Sequence, residues 1–175
     1  DEKHYSEKRV ENVEDCFPFR DTDTVTWINI DGLGNTEVIE RIGKHYHIHP
    51  LILEDILNTG QRPKMEDLET YLYVNLTMLQ LTGPEKTIKG EHMSLIIGSN
   101  FLLSFQEDVG DVFDPVRERI RKEGRIRKFG PDYLAYALID DIVDNYFLVI
   151  EHLEEQVEIL EEELVTNATP SSLHK

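Results

Sequence analysis

From about Asp132 the chain carries apolar side chains at Ile139, Val143, Tyr146, Ile150, Leu153, Val157, Leu160 and Leu164, spaced alternately by four and three. That spacing is a heptad seam and predicts one long helix. Such a helix runs roughly 50 Å at 1.5 Å per residue. A compact domain built from 175 residues cannot bury all of it. Its far half, EHLEEQVEILEEEL (151–164), is therefore expected to project as an arm and to pack against another helix. The tail TNATPSSLHK is expected to break at Pro170 and turn into such a partner, so the chain reads as a truncated piece of something longer.

The residues before the arm predict a mixed sheet between helical layers. TVTWINIDG (24–32) is a strand ending in a turn at Asp31-Gly32. NTEVIERIGKHY (35–46) is a helix with Val38, Ile39, Ile42 and Tyr46 on one face. A second helix starts at Pro50, where the missing N–H costs nothing, and runs to about Asn58 before Gly60 closes it. Its expected apolar face is Leu51, Ile52, Ile56 and Leu57, and GQRPK (60–64) breaks the helical period. ETYLYVNLTMLQL (69–81) alternates as a strand, GPEKTIKG is a loop, and EHMSLII-GSN-FLLSFQ is a hairpin. DPVRERIRK (114–122) is a helix with Asp114 as its N-cap, and Gly124 or Gly130 ends the helical stretch. The expected class is α/β (α+β), with a sandwich domain over 1–130 and a helical arm over 131–175.

Composition narrows the function. Hydrophobic residues make up 39%, which is enough for a packed core. The formal net charge of −17 repels nucleic acid and anionic membrane and attracts cations. No apolar run approaches the length of a membrane span, so the chain as given is expected to be soluble. The single cysteine, Cys16, forbids an internal disulfide, fits a reducing compartment and reads as a small buried hydrophobe. Residues 117–128 hold seven basic side chains and residues 151–163 hold seven glutamates, so the two runs are expected to pair, within or between chains. No phosphate-binding glycine loop, GxSxG, HExxH or Cys-His pair is found, and the chain is not expected to be an enzyme.

Three groups of residues invite a metal reading. His45, His47 and His49 alternate, but they cross from the end of one helix to the start of the next, where alternate side chains diverge, so structural roles are expected of them. Glu54 and Asp55 offer oxygen donors only, which suits a hard cation such as Mg2+. Their plain alternative is a solvated polar helix face. Asp140, Asp141 and Asp144 form a second acidic group on the long helix, with Asp140 and Asp144 on one face, where repulsion of like charges would be offset by a bound cation.

The segments HPLILEDILNTGQRPK, FQEDVGDVFDPVRERIR and DYLAYALIDDIVDNYF together resemble the cytoplasmic domain of CorA-type magnesium transport proteins. FPFRDTDTVTWINIDG before them and EEQVEILEEEL after them are in register, so the resemblance covers nearly the whole chain. It implies a subunit of a homopentamer in the cytoplasmic membrane, in which this domain lies on the cytoplasmic face. A stalk helix, two membrane helices and a Gly-Met-Asn pore motif would follow; no glycine of this chain precedes a methionine. It further implies that Mg2+ bound between neighbouring domains senses cytosolic magnesium and favours the closed state. The sensor residues map onto Asp55, with Glu54 beside it, and onto Asp140. An aspartate on the neighbour's stalk would complete the sensor site. Without the membrane helices and the Gly-Met-Asn motif the fragment alone is expected not to conduct. Its metal binding and assembly stay open. The implied cation is Mg2+, with Co2+ or another divalent metal in a cobalt- or zinc-transporting relative as the alternative. A soluble module that associates through its heptad arm and a metal-dependent hydrolase are the readings from other classes.

Overall fold

The computed structural model describes residues 1–122 and 124–167. Five strands form one mixed sheet in the order β1-β5-β4-β3-β2: β1 Thr26–Asp31, β2 Lys64–Asp67, β3 Leu72–Thr82, β4 Thr87–Ile97 and β5 Phe101–Gln106. β1 runs parallel to β5, and every other pairing is antiparallel. The helices are α1 Thr36–Tyr46, α2 Pro50–Leu57, α3 Asp114–Arg121 and α4 Pro131–Asn167, with 3-10 turns at Val13–Asp21 and Arg125–Lys128.

The last six residues of the buried part of β4, Glu91–Ile96, and all of β5 are buried on both faces. A strand whose side chains alternate sides and are buried throughout needs a layer on each face. One layer is α1 and α2, whose Ile39, Ile42, Tyr46, Ile52 and Ile56 pack on Tyr73, Ile96, Leu103 and Phe105. The other is α3 and the first half of α4, whose Val116, Leu134, Leu138 and Ile142 pack on Met78, Met93, Leu95 and Leu102. β3 feeds both layers: Tyr73 goes to the first and Met78 to the second, as its alternation predicts.

Local chemistry sets the element ends. Asn35 Oδ1 accepts from the Val38 N–H at 3.3 Å and starts α1. His47 ends it with φ 56°, donating its N–H to Gly43 O. A Cβ at Gly43 would collide with the Leu53 side chain, so glycine lets α1 and α2 approach closely. His49 Nδ1 accepts from the Leu51 N–H at 3.2 Å, and Pro50 takes the first turn of α2.

Several expectations are corrected. Lys64, the last residue of the expected helix-breaking stretch 60–64, opens β2; the KMED sequence has no apolar alternation, and it is a strand because it pairs along β3. The loop after Thr82 is only a four-residue turn, and Thr87–Gly90 continue the hairpin. Leu51 is 62% exposed, and Leu53 packs inward in its place. Asp114 is not the N-cap of α3: it is the first helical residue, Phe113 is the cap, and Asp111 Oδ1 takes the Phe113 N–H at 2.9 Å. The basic run turns to the N-terminal segment, with Arg121–Glu7 at 2.7 Å and Lys128–Glu2 at 2.8 Å, and also to Asp111 through Arg117.

The seam on α4 is also revised. The residues buried in the core cluster beneath the sheet are Leu134, Ala135, Ala137, Leu138 and Ile142, with Ile139 and Tyr146 of the heptad series half-buried beside them. Small alanines let the helix axis lie close to the sheet. Tyr146 belongs to both patterns, donating its hydroxyl to Thr77 O. Beyond it the heptad residues Ile150, Leu153 and Val157 are exposed, as a helix of about 55 Å projecting past the sheet requires. The expected break at Pro170 lies outside the described residues.

Leu138→Ala should lower the unfolding free energy by roughly 2–5 kcal/mol, because it opens a cavity beneath α4. Val157→Ala should change it by less than about 0.5 kcal/mol. Urea denaturation of the chain followed by circular dichroism reads both values, and equal losses would mean that the distal half of α4 is packed.

Candidate cation site

Asp55 lies on α2 three residues after the buried Ile52 and next to the buried Ile56, and its side chain is only 18% exposed. Its carboxylate is held by its own chain. Lys64 Nζ lies 2.6 Å from Oδ2, and Gln61 Nε2 donates to Oδ1. Lys64 sits at the start of β2, where its N–H donates to Asn75 Oδ1 at 2.8 Å. The same ammonium is 2.6 Å from Glu66 Oε1 and 5.7 Å from the Tyr73 ring centroid. Burial pushes the Asp55 carboxyl up, but hydrogen bonds from Lys64 and Gln61 outweigh it and hold the group below its ordinary value. The Asp55 and Glu66 carboxylates raise the Lys64 ammonium in turn.

Beneath α2 the sheet is polar. His92 Nε2 is 3.0 Å from Ser94 Oγ, which is 3.3 Å from the Tyr73 hydroxyl. Burial lowers the His92 pKa, which favours a neutral ring. Glu54, one residue before Asp55, is exposed, and its backbone carbonyl accepts the Asn58 N–H at 3.0 Å.

The acidic group on α4 divides. Asp140 and Asp144 are exposed, whereas Asp141 is 8% exposed and turned inward. Burial pushes the Asp141 carboxyl up, with Arg119 acting against it. α2 and α4 occupy opposite faces of the sheet, so a single chain does not bring Asp55 and Asp140 together. Among the described residues no three His, Cys, Asp or Glu side chains converge as a metal site. The donor type of Glu54, Asp55 and Asp140 fits a hard cation, while their number at any one place in the chain falls short of a cage.

The three histidines separate into structural roles. His45 stacks on Phe17 at 4.0 Å and its Nε2 lies 3.0 Å from Phe17 O. His47 closes α1 and His49 opens α2. Lys64 and Gln61 were the residues that sequence reasoning passed over. Both lie in the stretch read only as a helix breaker, and their meeting with Asp55 follows from the β2–β3 pairing.

A family model described as CorA-like Mg2+ transporter protein matches residues 22–175. The chain belongs to that family. It is 48% identical to the cobalt/magnesium transport protein CorA of Thermotoga maritima over 164 residues, covering 93% of this chain and 47% of that protein. Two structures from Methanocaldococcus jannaschii share its fold. The soluble domain of CorA superposes with a TM-score of 0.67 at 19% identity, covering 85% of this chain and 58% of that one. The complete CorA magnesium transporter gives a TM-score of 0.67 at 20% identity, covering 85% of this chain and 46% of that one. The chain thus spans about half the length of the curated relatives it matches. Among the described residues no helix of this CorA-family chain is long and apolar enough to cross a membrane.

The Asp55–Lys64 pair yields a pH signature. The folded-state pKa of Asp55 is depressed, so its stabilisation is fully present above the unfolded value near 3.9 and is lost as pH falls through the folded value. Asp55→Asn should destabilise the chain by about 1 kcal/mol at neutral pH. The difference from the parent should shrink below about pH 4. Urea midpoints at pH 7, 5 and 3.5 check this; a gap that widens on acidification would be the wrong sign.

Proposed function

We propose that this chain is the cytoplasmic-face regulatory domain of a CorA-type divalent-cation transporter, and that its acidic side chains sense Mg2+ between neighbouring subunits. The identity with the Thermotoga maritima protein, whose name specifies cobalt and magnesium transport, supports Mg2+ as the cargo and Co2+ as a second one. On this reading the domain does no catalysis, and its parent is a homopentamer that reaches the membrane through helices beyond these residues.

The observation that carries the sensing is the placement of Asp55 and Asp140 on opposite faces of one sheet, with Asp140 exposed. A cation using both must lie between copies. In a ring, the Glu54–Asp55 edge of one domain then faces the Asp140 surface of the next. Without a cation these carboxylates repel each other across the interface and favour its loosening. Bound Mg2+ supplies the positive charge that offsets this repulsion, and its preference for the tightly packed ring is the differential affinity that a switch requires.

The test is flux in liposomes containing the full-length protein. Millimolar Mg2+ on the cytoplasmic side should close the parent, while Asp55→Asn combined with Asp140→Asn should keep it conducting, with flux roughly five-fold higher or more. Equal inhibition of parent and variant would end the sensing proposal. Parallel assays with Mg2+ and Co2+ gradients decide the cargo.

A further inference from the structure

We propose that Lys64 is a tethered competitor for the Asp55 carboxylate, holding the site in its cation-free state and setting the Mg2+ concentration at which the site fills. This rests on the reading that Asp55 belongs to a sensing site.

The geometry supports the competition directly. Both Asp55 oxygens are engaged by the chain itself, Oδ2 by Lys64 at 2.6 Å and Oδ1 by Gln61. A divalent cation, bare or hydrated, approaches the same lone pairs. It must therefore displace the ammonium or accept a like charge within a few ångströms. The Lys64 ammonium has a second resting place already formed, since Glu66 Oε1 is also 2.6 Å away. Released from Asp55, it stays paired with Glu66, so the exchange leaves no charge uncompensated. The anchor does not move: the Lys64 N–H is fixed to Asn75 Oδ1, and Asn75 pairs with Lys64 in the β2–β3 register. Only the side-chain tip must swing.

Gln61 contributes differently. Its neutral amide donates to Oδ1 and orients the carboxylate, but it offers no charge for a metal to compete against. Lys64 and Glu66 are thus the pair that sets the threshold, with opposite signs.

The experiment reads Mg2+-dependent protection of the full-length protein from limited proteolysis, which does not depend on transport. Lys64→Met should lower the midpoint Mg2+ concentration by roughly three- to ten-fold, the scale of losing one partly exposed charge pair. Glu66→Gln removes the second resting place, holds the ammonium on Asp55 and should raise the midpoint. An unchanged or raised midpoint in Lys64→Met, or an unchanged one in Glu66→Gln, would overturn the proposal. If Lys64→Met does not fold, the direction of the Glu66→Gln shift decides alone. Asp55→Asn separates the two claims. Loss of Mg2+ protection in that variant beside a normal midpoint in Lys64→Met sinks the competitor and keeps the site. Full protection in Asp55→Asn sinks the site.

Discussion

Two adjacent strands buried on both faces organise this molecule. β5 and the second half of β4 carry apolar or hydrogen-bonded side chains in both directions, so neither face of the sheet tolerates water. Every helix that precedes β2 goes to one face, and every helix that follows β5 goes to the other. Asp55 and Asp140 are separated by this division and by the thickness of the sheet. The two acidic positions to which the family resemblance points therefore lie on two different surfaces.

The basic side chains pair locally. In a chain of net charge −17, the cations are spent close to home: Arg121 on Glu7, Lys128 on Glu2, Arg117 on Asp111, and Lys64 on Asp55 and Glu66. Asp140, Asp144 and most of the glutamates of the projecting half of α4 are left facing outward. Among them lie the exposed Ile150, Leu153 and Val157, an apolar edge beside an acidic one. Acidic surfaces that meet across an interface respond to divalent cations because the repulsion between them is large without the cation and small with it.

The sequence was readable wherever one period dominated. The alternation of β3, the start of α2 at Pro50 and the length of α4 all match the structure, because each follows from local stereochemistry. Asp55 and Asp140 were legible as candidates through family resemblance and the hardness of their oxygen donors. What escaped depended on partners distant in sequence. β2 is a strand only because β3 offers it a register, so Lys64 and its contact with Asp55 were invisible. The heptad series of α4 described the free end of the helix, whereas its buried stretch follows the sheet surface, which recruits Leu138 and Ile142 one step away. Asp141, off the face that Asp140 and Asp144 share, turns inward.

The separation of the two carboxylates by the sheet is tested most directly by cross-linking in the full-length protein. One population would carry Asp55→Cys and the other Asp140→Cys, co-expressed so that they mix in one assembly. Cys16 is 7% exposed and stays out of the reaction. The expected result is a two-subunit disulfide species that contains one of each variant and forms under mild oxidation. Absence of that species, or an internal disulfide when both cysteines are placed in one chain, would contradict an intersubunit site.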